Sequence, residues 1–340
     1  MRKVLTAATL AVVFAIGYST PAGAAVIITE FPVPPSLGGP GPITAAPGGI
    51  WFAEPNDDTI GRSTSGGNVT IYPLPASHQE PRGIAAGPND TVWFTETGGH
   101  SDVTGIGRIT NSGTITEYPL PPGVRPFGIT MGPDGNMWFT IASYPWRIGR
   151  ISPLGDITVF PAITRNEPLG IVTGSDGNLW IAEDGIGNGG PGAIGRVTPT
   201  GTLTEFALPT PSGFNSGAED ITVGPDGNLW FTWTEWDSME TGPAAANIGR
   251  ITTSGTITEF PVSSSGGWPP LHITAGPDGN LWFTQGAADV VASISTTGAI
   301  VEYPLPSSGT FVNDIALGQA GRLWFTEPGV NAVARLRLQP

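Results

Sequence analysis

One tryptophan-centred motif recurs seven times along this 340-residue chain and constrains its fold more than any other feature. Each copy has a short apolar segment, a turn of the Gly-Pro-Asp-Gly-Asn type and then Trp-Phe-Thr, as in 273–284. A period of ~40–50 residues with turns inside each unit indicates a propeller, a solenoid or another repeat array. The repeated tryptophans are Trp51, Trp93, Trp138, Trp180, Trp230, Trp282 and Trp324.

Each repeat unit is predicted to contain four short strands, a to d. Strand a is of the Gly-Ile-Thr type, as at 128–131, and strand b carries Leu-Trp-Phe-Thr. Strand c reads Ile-Gly-Arg-Ile, as at 106–109, and strand d reads Ile-Thr-Glu-Tyr-Pro, as at 115–119. Asp-Gly pairs between strands a and b are strong hairpin signals. Because no segment after the N-terminus has a 3.6-residue apolar period, the fold is predicted to be all-β.

The two ends of the chain complement each other. The seventh unit stops after strand c, whereas Ile27–Pro32 reads as a strand d with no unit before it. Pairing the first strand with the last unit removes the open sheet edges. The sequence therefore predicts a seven-bladed β-propeller of four-stranded blades, its ring closed by the N-terminal strand 26–34, which completes blade seven.

The first 24 residues have the pattern of a secretory signal peptide. Arg2 and Lys3 precede an apolar run that is too short to span a membrane, and Ala22-Gly23-Ala24 matches a small-residue cleavage site. We expect residues 1–24 to be removed after Ala24, leaving 25–340 as a single propeller domain. The mature protein is then secreted or periplasmic, without membrane insertion.

Composition excludes several classes of function. Lys3 is the only lysine, so the mature chain has no residue for a Schiff base or for the lysine of a phosphate-binding loop. A formal net charge of −14 argues against nucleic acid as a partner. There is no cysteine, hence no disulfide. A closed ring needs no partner to cover its edges, so we expect a monomer.

The charges inside the repeat have a structural interpretation. Counted from the turn between strands c and d, Arg108 falls opposite Glu117, which predicts a cross-strand ion pair. The same count gives Arg196–Glu205 and Arg250–Glu259. The repeated tryptophans are likewise predicted to form the blade cores.

Candidate functional residues gather on one face of the predicted ring, where strand b ends and strand a begins. Carboxylates converging there in a central funnel are suited to Mg²⁺, to Ca²⁺ or to a cationic ligand, although solvated carboxylates are the plain alternative. Acidic residues ending strand b are Glu54, Glu96, Glu183 and Glu327. Residues before strand a add Glu80, Arg82, Glu167, Glu219 and Asp220, and the histidines are His78, His100 and His272.

Three strings resemble the streptogramin B lyase family, also called virginiamycin B lyase: GITMGPDGNMWFT at 128–140, IGRITTSGTITEFPV at 248–262 and LHITAGPDGNLWFT at 271–284. The resemblance extends over the whole mature chain. It implies elimination at the ester bond of a cyclic depsipeptide antibiotic, with Mg²⁺ as cofactor. In the family, the base is a histidine in Glu-Pro-His-Gly, and another histidine stands in Pro-His-Ala-Ile of the preceding blade.

This chain matches the family motif only in part. Blades two and four have Glu80-Pro81-Arg82-Gly83 and Glu167-Pro168-Leu169-Gly170. Arg82 and Leu169 therefore stand where the family motif has its histidine. Both blades keep a glutamate sixteen residues later, at Glu96 and Glu183. The blade that corresponds best by chain order, the seventh, has Asn313 in place of the histidine. His272 stands one residue late in blade six, and strand alternation predicts that it turns to the opposite face.

Three hypotheses follow for the function. A carbon–oxygen lyase would use His272, Glu96 and Arg82, the last stabilising an oxyanion. Its Mg²⁺ would be held by Glu80, Glu96, Glu167 and Glu183. A binding protein would take a peptide, a glycan or a small molecule on its acidic loop face, through Trp233, Trp236, Glu219, Asp220 and Glu327. The third hypothesis is a purely structural surface protein. The residues by themselves favour binding, whereas the resemblance favours the lyase.

Overall fold

A computed structural model describes residues 5–7, 12–16, 26–35, 38–75, 80–99, 103–161, 164–185, 189–237, 243–262 and 269–338. The predicted cleavage after Ala24 lies outside the described residues, as do His78 and His100. No helix in the described part of the chain is both long and apolar enough to cross a membrane.

The described chain is built of short antiparallel strands. The N-terminal strands are β1 (Leu5–Ala7), β2 (Val12–Ile16) and β3 (Val26–Pro32). Blade one contains β4 (Ile43–Ala46), β5 (Gly49–Glu54), β6 (Thr59–Ser63) and β7 (Val69–Pro73). Blade two contains β8 (Pro81–Ala86), β9 (Thr91–Glu96), β10 (Gly105–Thr110) and β11 (Ile115–Pro119). Blade three contains β12 (Pro126–Met131), β13 (Met137–Ile141), β14 (Arg147–Ile151) and β15 (Ile157–Val159).

The second half of the chain repeats the pattern. Blade four contains β16 (Glu167–Thr173), β17 (Leu179–Asp184), β18 (Ala193–Val197) and β19 (Leu203–Ala207). Blade five contains β20 (Phe214–Val223), β21 (Leu229–Asp237), β22 (Pro243–Ile251) and β23 (Ile257–Pro261). Blade six contains β24 (Ile273–Ala275), β25 (Leu281–Gln285), β26 (Val290–Ile294) and β27 (Ile300–Pro304). Blade seven contains β28 (Ile315–Gly318), β29 (Arg322–Glu327) and β30 (Ala332–Leu338), together with β3. Short 3₁₀ helices are Pro55–Asp57, Gly286–Ala288, Gln319–Gly321 and Pro328–Val330.

The blades form a closed ring, as predicted. The innermost strand of each blade contacts the innermost strand of the next, and β28 of blade seven contacts β4 of blade one. Strand β3 pairs with β30 from Val26 opposite Leu338 to Pro32 opposite Ala332, so the first propeller strand completes the last blade. In addition, β1 pairs with the outer edge of blade one and β2 with that of blade seven.

The repeat motif fixes one buried tryptophan in each blade. All seven repeated tryptophans are at most 2% exposed. In blade three, Asp134 Oδ1 accepts hydrogen bonds from the Asn136 amide at 3.2 Å and from Trp138 Nε1 at 2.9 Å. Because the aspartate satisfies a buried indole N–H, the Asp-Gly-Asn turn and the tryptophan act as one unit. The same indole bond recurs at Asp176, Asp226 and Asp278.

The predicted ion pairs between strands c and d are wrong by one residue of register. Arg108 lies opposite Thr116, and Glu117 lies opposite Gly107. The Arg108 guanidinium instead stacks over Trp93, at 5.5 Å from the ring centroid, and donates to the Pro153 carbonyl of the next blade at 3.0 Å. Since successive strand residues point to opposite faces, this shift places the arginine against aromatic rings rather than a carboxylate.

Candidate functional site

Each inner strand has a β-bulge beside the centre of the ring. In blade six, Thr284 pairs with two residues at once: Leu271 N donates to its carbonyl at 3.0 Å, and its amide donates to the His272 carbonyl at 3.1 Å. Two residues opposite one partner define a bulge. We call the two bulged residues of each blade its bulge pair. In chain order the bulge pairs are Gly41–Pro42, Arg82–Gly83, Phe127–Gly128, Leu169–Gly170, Glu219–Asp220, Leu271–His272 and Asn313–Asp314.

The bulge changes which side chains are accessible. From blade two to blade seven both members of each pair are partly or fully exposed, whereas the following isoleucine is buried. A regular strand would turn two successive side chains to opposite faces. The bulge suspends this alternation, so the expectation that His272 turns away from the site is wrong. His272 lies beside the centre of the ring with its neighbours from blades five and seven.

Asp220, His272 and Asp314 come together from three consecutive inner strands. His272 Nδ1 lies 3.5 Å from Asp220 Oδ2 and 3.5 Å from Asp314 Oδ1. The potential ligand atoms of the three side chains all lie within 4.8 Å of one another, a spacing that could hold a metal ion. These three residues, here named the triad, each occupy the second place of a bulge pair.

Electrostatics makes the triad histidine a cation in the absence of metal. Burial lowers the pKa of the His272 imidazole, but the carboxylates of Asp314, Asp220 and Glu219 outweigh this effect and raise the pKa to about 10. For Glu219 burial is the largest influence and raises its pKa, and Asp220 adds to the rise. In the metal-free protein the protonated imidazole is therefore a hydrogen-bond donor at neutral pH, and a metal ion bound at Nδ1 would have to displace its proton.

Arg82 and Glu80 form a separate group in blade two. The two side chains make an ion pair, and Thr97 Oγ1 also donates to Glu80 Oε2 at 2.8 Å. Burial raises the pKa of Glu80, but the bonds from Thr97 and Arg82 outweigh it and lower the pKa. Glu167 lies in blade four opposite Asp184, and its pKa is raised by burial and by that aspartate. These residues and the triad belong to different blades.

The glutamates that end strand b do not converge on the centre of the ring. Glu96, Glu183 and Glu327 are all 0% exposed. The charges that act on Glu96 are those of Glu117, on the outermost strand of its blade, and of Asp58. Glu183 approaches Glu205 across Gly195, again toward the outer strands. Their carboxyl groups therefore point into the blades, and of the carboxylates expected at a central funnel Glu219 and Asp220 lie beside the centre of the ring.

Burial keeps these glutamates protonated. Desolvation, followed by the charges of Glu117 and Asp58, raises the pKa of Glu96 to about 9. Desolvation and the neighbouring Glu30 and Asp289 raise the pKa of Glu327 to about 8, and burial beside Glu205 raises the pKa of Glu183 well above its usual range. A carboxylic acid must lose its proton to bind a metal ion. In the metal-free protein at neutral pH these side chains therefore hold a proton that a metal ion would have to displace.

Blade five holds the two tryptophans expected to contact a ligand. Trp233 is 0% exposed and packs in the core beside Phe231, with ring centroids 6.4 Å apart. Trp236 lies further along β21, opposite Asn215, and is half-buried. Of these two tryptophans, only Trp236 is accessible to a ligand in this conformation.

Asp314 is not among the residues predicted for the site, although the repeats contain a signal for it. Aligning the repeats by the isoleucine of the inner strand puts Gly83, Gly128 and Gly170 at the same place as Asp220, His272 and Asp314. A Cβ at the three glycines would lie 2.2–2.8 Å from the backbone of the next blade. Blades five to seven depart clearly from this pattern of glycines, because each has at the same place a side chain that can bind a metal.

Comparison with known proteins agrees with this architecture. A profile of the virginiamycin B lyase family matches residues 8–246 and 215–339. Virginiamycin B lyase from Staphylococcus aureus is 34% identical, with a TM-score of 0.78 over 92% of this chain and 100% of that one. The same values hold for its catalytically inactive variant crystallised with quinupristin. A streptogramin B lyase structure is 31% identical, with a TM-score of 0.78 over 92% of this chain and 98% of that one.

Among curated proteins, none matches this chain significantly. The family profile spans nearly the whole described propeller, and the lyase structures match it from end to end. This chain therefore belongs to the virginiamycin B lyase family.

Proposed function

We propose that this protein binds a peptide ligand at the centre of its ring, on the bulge pairs, and leaves the bonds of the ligand intact. The observation that carries the proposal is the composition of these pairs around the ring. Phe127 and Leu169 are the half-buried apolar members of the pairs in blades three and four, whereas the pairs of blades five to seven contain the triad with Glu219 and Asn313. Apolar walls with a few convergent polar groups are typical of ligand sites.

A peptide suits this division better than a glycan or a purely apolar molecule. A peptide ring offers apolar side chains to the Phe127 and Leu169 sector, and amide or amino groups to the carboxylates of the triad. Quinupristin, bound by the inactive variant of the Staphylococcus aureus enzyme, supports the choice of such a ligand as the first probe.

Binding without cleavage is favoured by the residues at the two histidine positions of the family motif. By the resemblance, these positions correspond to Asn313 in blade seven and Leu271 in blade six. Neither an amide nor an alkyl side chain can take a proton from the carbon next to a carbonyl, which elimination requires. The bulge pairs thus support recognition of a ligand but lack the histidine base of the family.

Elimination with Mg²⁺ remains a second candidate because the family match spans nearly the whole chain. The four glutamates predicted to hold Mg²⁺ do not fit one ion. Glu96 and Glu183 are buried in separate blades, whereas Glu80 is already paired with Arg82. No step of the reaction is therefore assigned to these residues. A lyase activity would need a base other than the family histidine.

Titration with quinupristin, followed by tryptophan fluorescence and by mass spectrometry with and without Mg²⁺, tests both candidates. We expect saturable binding of quinupristin, with its peptide ring left intact. Phe127→Ala and Leu169→Ala should weaken binding, whereas Leu154→Ala, an exposed residue in the turn at the opposite face, should not. A linear product of unchanged mass would replace the proposal by the lyase. Absence of binding would overturn both.

We also propose that the protein is exported and is a monomer. The support for export is the signal-peptide pattern of residues 1–24, and the support for a monomer is the closure of the ring by β3. The mass of the protein recovered outside the cytoplasm should correspond to a chain beginning at Ala25. A protein that retains residues 1–24 would contradict export by a cleaved signal peptide. A dimer in light scattering would contradict the monomeric state.

A further inference from the structure

We propose that Asp220, His272 and Asp314 bind one divalent transition-metal ion, of which Zn²⁺ is the best probe. The inference goes beyond the proposed function, because peptide binding by the bulge pairs requires no metal. It rests on the geometry of the triad, on the groups that orient its carboxylates and on its accessibility.

The separations within the triad match those of ligand atoms around an ion. Each contact from His272 Nδ1 to a triad carboxylate is 3.5 Å, whereas a direct N–H···O hydrogen bond spans about 2.7–3.2 Å. Bonds of about 2.0–2.1 Å to a tetrahedral Zn²⁺ place neighbouring ligand atoms roughly 3.4 Å apart. One N–H also cannot point at two carboxylates at once. Both distances are compatible with an ion between the three groups.

Backbone amides hold the two carboxylates in place. Asp220 accepts from Ile221 N through Oδ1 and from Ile273 N through Oδ2, both at 2.9 Å. Asp314 accepts from Ile315 N at 2.7 Å and from Ile43 N at 2.8 Å. A carboxylate oxygen has two lone pairs, so each can accept an amide and still bind a metal. Such supporting hydrogen bonds are the usual means of orienting metal ligands.

The ligand types select the class of metal. Imidazole nitrogen suits Zn²⁺ and other transition metals, whereas Mg²⁺ and Ca²⁺ prefer sites built from oxygen alone. Glu219, the other member of the Asp220 bulge pair, adds a carboxyl group that interacts electrostatically with His272 and Asp220. The region thus carries an excess of acidic groups, which favours a dication.

The triad is open to the centre of the ring. The side chains of His272 and Asp220 are each 23% exposed, and that of Asp314 is 14% exposed. An ion has a path into the site, and three protein ligands leave at least one position for water or for a group of the ligand. This arrangement differs from a closed structural site with four protein ligands.

Calorimetric titration of chelator-treated, full-length protein with Zn²⁺, Mn²⁺, Mg²⁺ and Ca²⁺ tests the site. We expect one Zn²⁺ per chain, bound more tightly than Mg²⁺ or Ca²⁺. His272→Gln and Asp314→Asn should each weaken Zn²⁺ binding by about 100-fold or more. Asn313→Ala is the matched control, since it alters the non-ligand member of the same bulge pair and should keep the affinity. Zn²⁺ affinity unchanged by His272→Gln, or no Zn²⁺ binding at all, would overturn the proposal.

Histidine NMR keeps the test decisive if a triad variant fails to fold. The chain has three histidines, so His78→Gln and His100→Gln assign the imidazole signals without altering the triad. Mn²⁺ should broaden the His272 signals selectively, and broadening of only the other two would contradict the site. Quinupristin binding is measured separately in metal-free protein, so failure of the metal site and failure of the peptide site are distinguishable.

Discussion

The Phe31 ring stacks on the Trp324 indole with ring centroids 5.3 Å apart and an interplanar angle of 24°. The two residues come from opposite ends of the propeller: Phe31 lies on β3, and Trp324 lies on β29 of the same blade. The Arg335 guanidinium covers both rings, at 5.1 Å from Phe31 and 5.5 Å from Trp324. The aromatic stack of every other blade is local in sequence, but here the same stack joins the two chain ends.

Phe31→Ala should destabilise the whole ring. Phe31 is 2% exposed, and truncating a buried phenylalanine costs about 3–5 kcal/mol of unfolding free energy. Guanidinium titration followed by circular dichroism measures the loss. Leu154→Ala is the control, because Leu154 is 89% exposed and its truncation should change stability little. Equal stability of the two variants would show that closure by β3 contributes nothing.

Asp134→Ala should uncouple the turn of blade three from its tryptophan. The substitution leaves the buried Trp138 N–H without its acceptor, which costs about 1–3 kcal/mol. Asp134→Asn retains an oxygen that can accept from both Trp138 and the Asn136 amide. Its loss of unfolding free energy, measured by urea titration, should therefore be smaller. If both variants lose the same amount, the charge of the aspartate, rather than its hydrogen bonds, stabilises the turn.

Glu96 should make stability fall as the pH rises. The pKa of Glu96 is about 9 in the folded chain against an ordinary value of 4.5, so between these values the folded state holds a proton that the unfolded state has released. The unfolding free energy then declines across this window, by at most about 1.4 kcal/mol per pH unit. Glu96→Gln removes this decline and should therefore gain stability relative to wild type between pH 5.5 and 8.5.

Denaturant titrations at pH 5.5, 7 and 8.5 measure the difference between Glu96→Gln and wild type. Asp90→Asn is the control for loss of one acidic side chain, because Asp90 is exposed in the turn before β9. Parallel pH profiles for wild type and Glu96→Gln would contradict a buried, protonated Glu96.

Gly83→Ala should disturb the contact between blades two and three. A Cβ at this bulge position would lie 2.2 Å from the Phe127 carbonyl oxygen, so the inner strands must separate. Overpacking of this kind costs about 1–3 kcal/mol, measurable as a lower thermal midpoint. At Gly190 no heavy atom would approach within 4 Å of a Cβ, so Gly190→Ala should be nearly neutral. Similar midpoints for the two variants would argue against tight packing at the bulge.

The repeat was sufficient to predict the propeller, because its signals are local. The Asp-Gly turn, the buried tryptophan and the alternating strands each act within a few residues, and Ile27–Pro32 could be recognised as the missing outer strand from its own composition. The register of strands c and d was predicted wrongly, since one residue in the turn decides whether Arg108 faces Glu117 or an aromatic ring.

The candidate site was predictable only in part. His272, Asp220 and Glu219 were singled out from their position before strand a, whereas Asp314 was not. Alternation along a strand argued against His272, and the bulge opposite Thr284 reverses that argument. Such a bulge depends on hydrogen bonds between strands, and a short apolar segment such as 271–275 carries no clear sign of it.

The sequence by itself determined the number of blades, the closure of the ring and the family, because repeat period, turns and core residues are encoded in each unit. Only the tertiary structure decided which polar residues meet. Consecutive members of the triad lie 52 and 42 residues apart in the chain, and they come together because three inner strands bulge at the same place around one axis. The buried glutamates are the converse case: they share a face in the sequence pattern, yet packing turns each into its own blade, where desolvation keeps it protonated.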